Sequence, residues 1–319
     1  MDTKNFRKKA LLQKDWHWEI AIYLFLGGVG AGAYVTGAIS SFLGWTDMAR
    51  WGVLVSFPAL AIGLLFLVAH LGNPLRTYLA ASKAGTSWIS RGVIFFSVFM
   101  LVAIIHIIGT LWVELSGTIV LALSVIGIIF ALGTMVYTGA LLSASKGIPF
   151  WRSGIMPILF MFSALATGLA ATVVFVYFFG STPFLAGIAP VVALIAAALI
   201  LGEAVVVLFF LHAAYRLPES RDSAVTATKK GSFIVGDVLL GLLVPLALML
   251  YVGFGNAGGN TGTLMVIAGI LVIIGGLLLR YMVLSVGMIT TMYASGFEFK
   301  LQNKPEPKSP IGLVPPGNV

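Results

Sequence analysis

The sequence predicts an all-α, polytopic membrane protein with eight transmembrane helices, arranged as two four-helix bundles. Of its 319 residues, 59% are hydrophobic and only 9% are charged, whereas soluble domains carry about 25% charged residues. The surplus apolar surface has to face lipid, where a helix satisfies its own backbone hydrogen bonds. The 37 glycines fit close contacts between membrane helices.

Eight segments are apolar over the length of about 20 residues that a membrane-spanning helix needs. They lie at roughly 19–43, 51–71, 91–113, 117–143, 154–179, 187–214, 232–252 and 262–290. We expect Pro245 to kink the seventh span. A basic amphipathic segment, 1–18, precedes this eight-helix membrane domain, 19–290. A Pro-rich tail, 291–319, follows it and is expected to be an extended arm.

Positive charge is concentrated on one side of the predicted helices. Seventeen of the 19 Lys and Arg residues fall in the N-terminal segment, in the loops after the second, fourth and sixth spans, and in the tail. We call this side the basic face and the other side, where Arg50 lies, the opposite face. The positive-inside rule places the basic face and both termini in the cytoplasm, and so the protein in the cytoplasmic membrane. Nucleic-acid binding is not expected, because the basic residues form no separate domain.

The cysteine and histidine content restricts the cofactors. The sequence has no cysteine, which excludes thiolate metal sites and Cys-ligated iron–sulfur clusters within it. A transmembrane pair of b haems needs about four histidines paired across helices. The sequence has 4 histidines, but His17 precedes the first span and His106 has no histidine partner at its depth. We therefore expect no haem and no metal in this chain.

Ionisable and hydroxyl-bearing residues inside the spans are informative, because a charge in lipid is costly unless it is paired or hydrated. Apart from His106, which we interpret as a hydrogen-bonded helix contact, these residues fall in the half of the membrane nearest the basic face: Glu19, Tyr23, His70, Tyr137, Glu203, His212, Asp237 and Arg280. A quinone headgroup needs hydrogen-bond partners for two carbonyls and a source of protons. Tyr, His and Glu can supply both.

Three segments in the first half of the sequence follow a distinctive order. They are HWEIAIYLFLGGVGAGAY (17–34), HLGNPLR (70–76) with TSWISRG (86–92), and YTGALLSASKGIPFW (137–151). Together they resemble the NrfD/polysulfide reductase membrane-subunit family, whereas the second half matches only in hydropathy. The resemblance implies an eight-helix anchor of a respiratory molybdenum and iron–sulfur complex that binds quinone. The GxGAG pattern in the first segment favours helix packing over phosphate binding, because no strand precedes it.

Carried onto this sequence, the family's quinone site falls at Glu19, Tyr23 and Tyr137. Tyr23 stands where some relatives have His. His70 replaces the Asp that precedes LG in the family, so its charge and role differ. The alternatives are an interfacial anchor for Glu19 with Tyr23, a bond to a neighbouring helix for Tyr137, and a helix C-terminal cap for His70.

Glu203, Arg280 and Asp237 are the candidates for proton transfer. Glu203 and Arg280 could instead form a structural ion pair across the sixth and eighth spans. Asp237 could instead be a first-turn partner of its helix dipole.

The resemblance implies a quinone-reactive subunit that exchanges electrons and protons between menaquinone or ubiquinone and a ferredoxin-like iron–sulfur subunit. A molybdenum or tungsten bis-pterin catalytic subunit would lie beyond it, and coupled proton translocation is compatible with this arrangement. Arg76, Arg91 and Arg152 are candidates for partner docking, with anchoring at the membrane surface as the alternative for the first two.

Orientation and function each retain an alternative. Several relatives dock their catalytic subunits on the outer face of the membrane, whereas the charge distribution turns the corresponding half of this protein inward. We expect a complex that faces inward. The competing functions are a secondary transporter or ion-conducting protein with Glu203 and Arg280 on its pathway, and a structural membrane anchor that binds no quinone.

Overall fold

The computed structural model describes residues 12–13, 16, 18–70, 88–113, 115–145, 147–255, 258–289, 293–294 and 297–298, with only the backbone at 70, 293–294 and 297–298. Within these ranges, eight helices are long and apolar enough to cross a membrane. This confirms the predicted all-α class and number of spans.

The helices follow one another through short connections. The first six are α1 Trp18–Phe42, α2 Thr46–His70, α3 Trp88–Leu111, α4 Gly117–Ser143, α5 Met156–Phe179 and α6 Thr182–Arg216. A short polar helix, α7 Pro218–Lys229, lies at the basic face. The seventh span is a π-helical segment, Ser232–Leu243, that continues into α8 Val244–Gly253. The 3₁₀ turn Gly258–Asn260 then leads into α9 Thr261–Ser285.

The predicted span boundaries hold to within a few residues, and the larger differences have local causes. α2 begins at Thr46 rather than 51, with Asp47 in its first turn, where a carboxylate is favoured by the helix dipole. α6 begins at Thr182 rather than 187, because the Ser181 side chain accepts a hydrogen bond from the Phe184 backbone N–H and caps the helix.

The irregular part of the seventh span is longer than the kink predicted at Pro245. Pro245 lies in the first turn of α8, directly after the π-helical segment, where it cannot donate a hydrogen bond to the preceding turn. The 12 residues of Ser232–Leu243 before it are wound as a π-helix, which is rare and often found at functional sites.

The spans form the two predicted bundles. One contains α1 to α4, and the other contains α5, α6, α9 and the seventh span. α1 and α5 join the bundles: 83% of the most apolar stretch of α1 is buried, against 28% in α4. A Cβ atom on Gly32 of α1 would overlap the carbonyl oxygen of Ala164 in α5. The glycine run of α1 therefore serves close helix packing, as predicted.

Both ends of the membrane domain lie on the same face. The Gln13 backbone N–H, ahead of α1, donates to the carbonyl of Gly287, just after α9, at 2.9 Å. This contact agrees with an even number of spans. Beyond α9, Tyr293–Ala294 and Phe297–Glu298 pair as two short antiparallel strands, and the rest of the predicted extended arm lies outside the described residues.

Candidate functional site

Two buried tyrosines from different helices meet inside the first bundle. Tyr23 lies near the start of α1 and Tyr137 lies near the end of α4, and both are buried. Their side chains are close enough to interact electrostatically. The Tyr23 ring also packs against Phe96 of α3, with 5.8 Å between ring centroids. The structure therefore brings together two of the predicted quinone-site residues, which are 114 positions apart in the sequence.

A carboxylate lies one helical turn before this tyrosine pair. Glu19 precedes Tyr23 by four residues on α1, a spacing that places both side chains on one helix face. Its Oε2 atom is buried and has no hydrogen-bond partner among the described residues. A buried carboxylate oxygen without a partner is costly, and such atoms are often found at functional sites.

Gly92 of α3 makes room for the Tyr137 ring. A Cβ atom at Gly92 would overlap that ring, so a larger residue would displace Tyr137 from its position. The sequence contains Gly92 in the segment TSWISRG, but hydropathy alone did not identify it as part of the site.

The chemistry of this group fits a quinone headgroup. Each tyrosine hydroxyl carries one proton that it can donate. The pair can thus donate one hydrogen bond to a carbonyl, and the unpartnered oxygen of Glu19 can accept or deliver a proton. The apolar ring of Phe96 beside Tyr23 supplies a surface against which a flat ring can pack.

Two of the predicted site residues cannot be placed against this group. His70 is the last residue of α2, but its side chain lies outside the described part of the structure, and so does Arg76. A shared site for His70 and the two tyrosines therefore stays a prediction.

A second polar cluster lies inside the other bundle. Arg280 of α9 is buried, and its Nη1 donates to the Ser163 hydroxyl at 2.9 Å and to the Gly276 carbonyl at 2.8 Å. Glu203 of α6 interacts electrostatically with Arg280, and Ser163 of α5 lies beside both. The two charged side chains that the sequence suggested as a pair therefore belong to one cluster.

Asp237 completes this cluster from the π-helical segment. It is buried and interacts electrostatically with both Glu203 and Arg280. The Oδ2 of Asp237 and the Nε of Arg280 have no hydrogen-bond partner among the described residues. The alternative interpretation of Asp237 as a first-turn dipole partner is wrong, because the first turn of this segment has no acidic residue.

Helix α1 separates the two polar groups and contacts both. Tyr23 belongs to the first group, and five residues later Gly28 faces Arg280. A Cβ at Gly28 would lie 2.7 Å from the Arg280 Nη2. The guanidinium also lies over the ring of Phe25 in α1, with Cζ 5.6 Å from the centroid. The glycine therefore admits the guanidinium to the surface of α1.

The two docking candidates among the described residues, Arg91 and Arg152, lie at the basic face. Arg152 is exposed and lines a cleft of about 420 Å³ together with Pro149 and the α6–α7 connection at 217–219. The neighbouring Trp151 fixes this loop, because its Nε1 donates to the carbonyl of Val283 at 2.8 Å. Arg91 lies over the ring of Trp88 within α3, at 4.9 Å from the centroid.

Sequence reasoning missed Ser163 and the partner of His106. Ser163 carries no distinguishing signal, because single serines are common in membrane helices. Tyr34 lies in the motif-bearing first helix, and its hydroxyl lies 3.0 Å from the Nδ1 of His106 in the opposite half of the membrane. The interpretation of His106 as a hydrogen-bonded helix contact is confirmed.

Comparison with known proteins identifies a family over most of the sequence. Residues 9–292 match the family described as "Polysulphide reductase, NrfD". The protein is 28% identical over 190 residues to the C subunit of the polysulfide reductase of Wolinella succinogenes, covering 52% of this chain and 60% of that protein. It is 30% identical over 199 residues to protein NrfD of Escherichia coli, covering 54% of this chain and 62% of that protein.

A third relative is the YnfH subunit of an anaerobic dimethyl sulfoxide reductase of Escherichia coli, which is 30% identical over 197 residues, 57% of this chain and 66% of that protein. The chain spans about three fifths of the length of the first relatives it matches. The family match extends through all eight spans and both polar groups, and it includes the segments that first suggested the resemblance. The chain is therefore a multi-pass membrane protein of the polysulphide reductase NrfD family.

Proposed function

We propose that this protein is the quinone-reactive membrane subunit of a respiratory oxidoreductase complex. The observation that carries the proposal is the buried pair of Tyr23 and Tyr137, with the unpartnered carboxylate oxygen of Glu19 one helical turn away. A buried proton donor and a buried proton acceptor then lie side by side, as the reduction of a quinone or the oxidation of a quinol requires.

The ligand is menaquinone or ubiquinone, and when bound it supplies the two-electron, two-proton chemistry. The protein's own residues position it and handle protons. The tyrosine pair would donate a hydrogen bond to one carbonyl of the headgroup, and Glu19 would exchange a proton with the bound headgroup. His70 would take part from the end of α2.

The electrons need a partner, because the sequence has no cysteine to hold an iron–sulfur cluster. Relatives named as parts of polysulfide, dimethyl sulfoxide and selenate reductases support membership of such a complex. We infer a ferredoxin-like iron–sulfur subunit bound at the basic face, near Arg91 and the cleft at Arg152, and a molybdenum or tungsten bis-pterin catalytic subunit beyond it. In this arrangement the basic face is cytoplasmic.

The cluster of Glu203, Asp237 and Arg280 would move protons. Two carboxylates and one guanidinium carry a net negative charge when all are ionised, and lipid strongly disfavours a net charge. The cluster therefore holds one proton at rest and can release or bind it as its surroundings change. Its contact with α1 through Gly28 supports a route between this cluster and the quinone site.

Quinone analysis of the purified complex tests the proposal, together with quinol turnover in variants. We expect bound quinone in the native complex, and we expect Tyr137→Phe and Glu19→Gln to lower quinol turnover on the order of 100-fold while subunit assembly is retained. Tyr251→Phe is the matched control, because this tyrosine is half-exposed on α8. The quinol turnover of this variant should equal that of the native complex.

The same measurements separate the alternatives. Native turnover in both site variants would overturn the assignment of Glu19 and Tyr137. A protein that purifies without partners and quinone and that catalyses solute uptake would instead be a transporter. A complex that assembles normally but reacts with no quinol would leave the protein as a structural anchor.

A further inference from the structure

A polar cavity opens at the opposite face of the first bundle, far from both clusters described above. It has a volume of about 470 Å³ and lies between the ends of α1 and α3 and the beginnings of α2 and α4. Its polar lining consists of Ser41, Thr46, Arg50, His106 and Thr110. Since a water molecule occupies about 30 Å³ in the liquid, a polar cavity of this size has room for several.

The hydrogen bonds of Tyr34 determine which nitrogen of His106 carries the proton. The Tyr34 hydroxyl donates to the carbonyl of Leu123 at 2.8 Å. Its single proton is thereby used, so towards His106 the same oxygen can only accept. The Nδ1 of His106, 3.0 Å away, must therefore be the donor. Neutral His106 is consequently the Nδ1–H tautomer, and its Nε2 carries a free lone pair.

This lone pair is accessible from the cavity. The His106 side chain is 5% exposed and lines the cavity. Nε2 has no hydrogen-bond partner among the described residues. Four other side-chain atoms in this part of the chain are both unpartnered and fully enclosed, but Nε2 is not among them, so it is not sealed off by the surrounding protein. A basic nitrogen thus meets the polar cavity from within the span.

The hydroxyls of the cavity favour water that donates towards them. Ser41 donates its proton to the Ala38 carbonyl at 2.7 Å, and Thr110 donates to the His106 carbonyl at 2.8 Å. Both oxygens keep lone pairs that accept from water.

We propose that His106 is a proton-binding site that exchanges protons with the aqueous phase at the opposite face through water in this cavity. The groups that face it are the Tyr34 hydroxyl from α1 and the Arg50 guanidinium from α2 across the cavity. The α4 residues at the cavity and at the Tyr34 hydrogen bond, Val120 and Leu123, carry no charge. Glu114, next to the cavity residue Leu115, lies outside the described residues.

The proposal does not depend on the quinone site. The rings of Phe96 and Phe99 on α3 lie between the tyrosine pair and His106, and Phe99 packs edge-on against Tyr34 with 5.3 Å between centroids. His106 therefore belongs to a separate polar region that faces the other side of the membrane. Loss of quinol activity in a Tyr137 variant would not affect this site.

Cysteine labelling tests the access route, and the protein is well suited to it because it contains no cysteine. Ser41→Cys and Thr110→Cys would line the cavity, whereas Ala103→Cys, on the same helix as Thr110, would lie at a fully buried position. In sealed vesicles of known orientation, a membrane-impermeant thiol reagent applied at the opposite face should label the first two about tenfold faster or more than Ala103→Cys. Equal rates for all three, or labelling of Thr110→Cys from the basic face alone, would overturn the proposal.

Nitrogen NMR of the full-length protein in lipid bilayers tests the proton site itself. With ¹⁵N-labelled histidine, His106→Gln identifies the signal of His106 among the 4 histidines. We expect the Nδ1–H tautomer at high pH and the doubly protonated ring when only the pH at the opposite face is lowered. Tyr34→Phe should shift the tautomer towards Nε2–H. A native Nε2–H tautomer, or a signal that does not respond to the pH at that face, contradicts the proposal.

Discussion

Arg280 is the residue on which the second polar cluster depends. Its guanidinium is buried between Ser163 and the two carboxylates of Glu203 and Asp237. Removing one partner of a buried charge group leaves the others uncompensated, which typically costs about 3–5 kcal/mol. We therefore expect Arg280→Met to lower the free energy of unfolding by about that amount, measured by denaturation in detergent micelles. Arg221→Met, at an exposed position on α7, is the control and should change stability little.

Charge compensation at this cluster can be tested by a second substitution. In the Arg280→Met background, Asp237→Asn removes one of the two acidic groups that have lost their cation, so it should recover part of the lost stability. In the native background the same change removes a partner of Arg280 and should be destabilising. This change of sign is the signature of direct coupling between neighbouring groups. Equal destabilisation by Asp237→Asn in both backgrounds would show that the two side chains act independently.

At the level of the helices, the crossing of α1 and α5 holds the two bundles together. Gly32 and Gly168 face each other so closely that a Cβ on either would overlap the backbone of the other helix. We expect Gly32→Ala to lower the thermal stability by an amount that corresponds to about 1–3 kcal/mol, because neither backbone can yield easily.

Gly187→Ala in α6 is the matched control for this crossing. A Cβ at Gly187 meets nothing within 4 Å, and alanine is favoured over glycine inside a helix by about 1 kcal/mol. This variant should be unchanged or slightly stabilised. Similar stability of the Gly32 and Gly187 variants would mean that α1 and α5 do not pack as described.

Part of this helix arrangement could be predicted from the sequence and part could not. Hydropathy and length are local properties, so the eight spans were predicted nearly in place, and α4 at 117–143 coincides with the helix. The π-helical winding of Ser232–Leu243 was not predicted, because an apolar stretch has the same hydropathy in either helix type. Pro245 indicated only that an interruption was near.

The candidate site could also be predicted only in part. Glu19, Tyr23 and Tyr137 could be named as candidates because of the family resemblance and because they are polar residues within apolar spans. The bridge from Arg280 to Ser163 joins residues 117 positions apart, and no local pattern marks a serine as its partner. The tautomer of His106 likewise depends on Tyr34 and Leu123, which only the folded protein brings together.

At the level of the whole molecule, the topology of the protein in the membrane can be tested. The even number of spans and the contact between Gln13 and Gly287 place both ends on one side, and from the positive-inside rule we predict that this side is cytoplasmic. Fusions of a reporter that works only in the cytoplasm should therefore be active at both the N-terminus and a position after α9. Activity at one end alone would contradict an even number of spans, and activity at neither end would reverse the orientation.

The location of bound quinone is the decisive test of a quinone site at the tyrosine pair. A photoreactive quinone analogue is added to the purified native complex and activated by light, and the labelled peptides are identified by mass spectrometry. We expect labelled peptides from the start of α1 and the end of α4, around Tyr23 and Tyr137, and loss of this labelling when excess natural quinone is present. Labelling confined to other helices, or unaffected by competing quinone, would contradict a quinone site at this tyrosine pair.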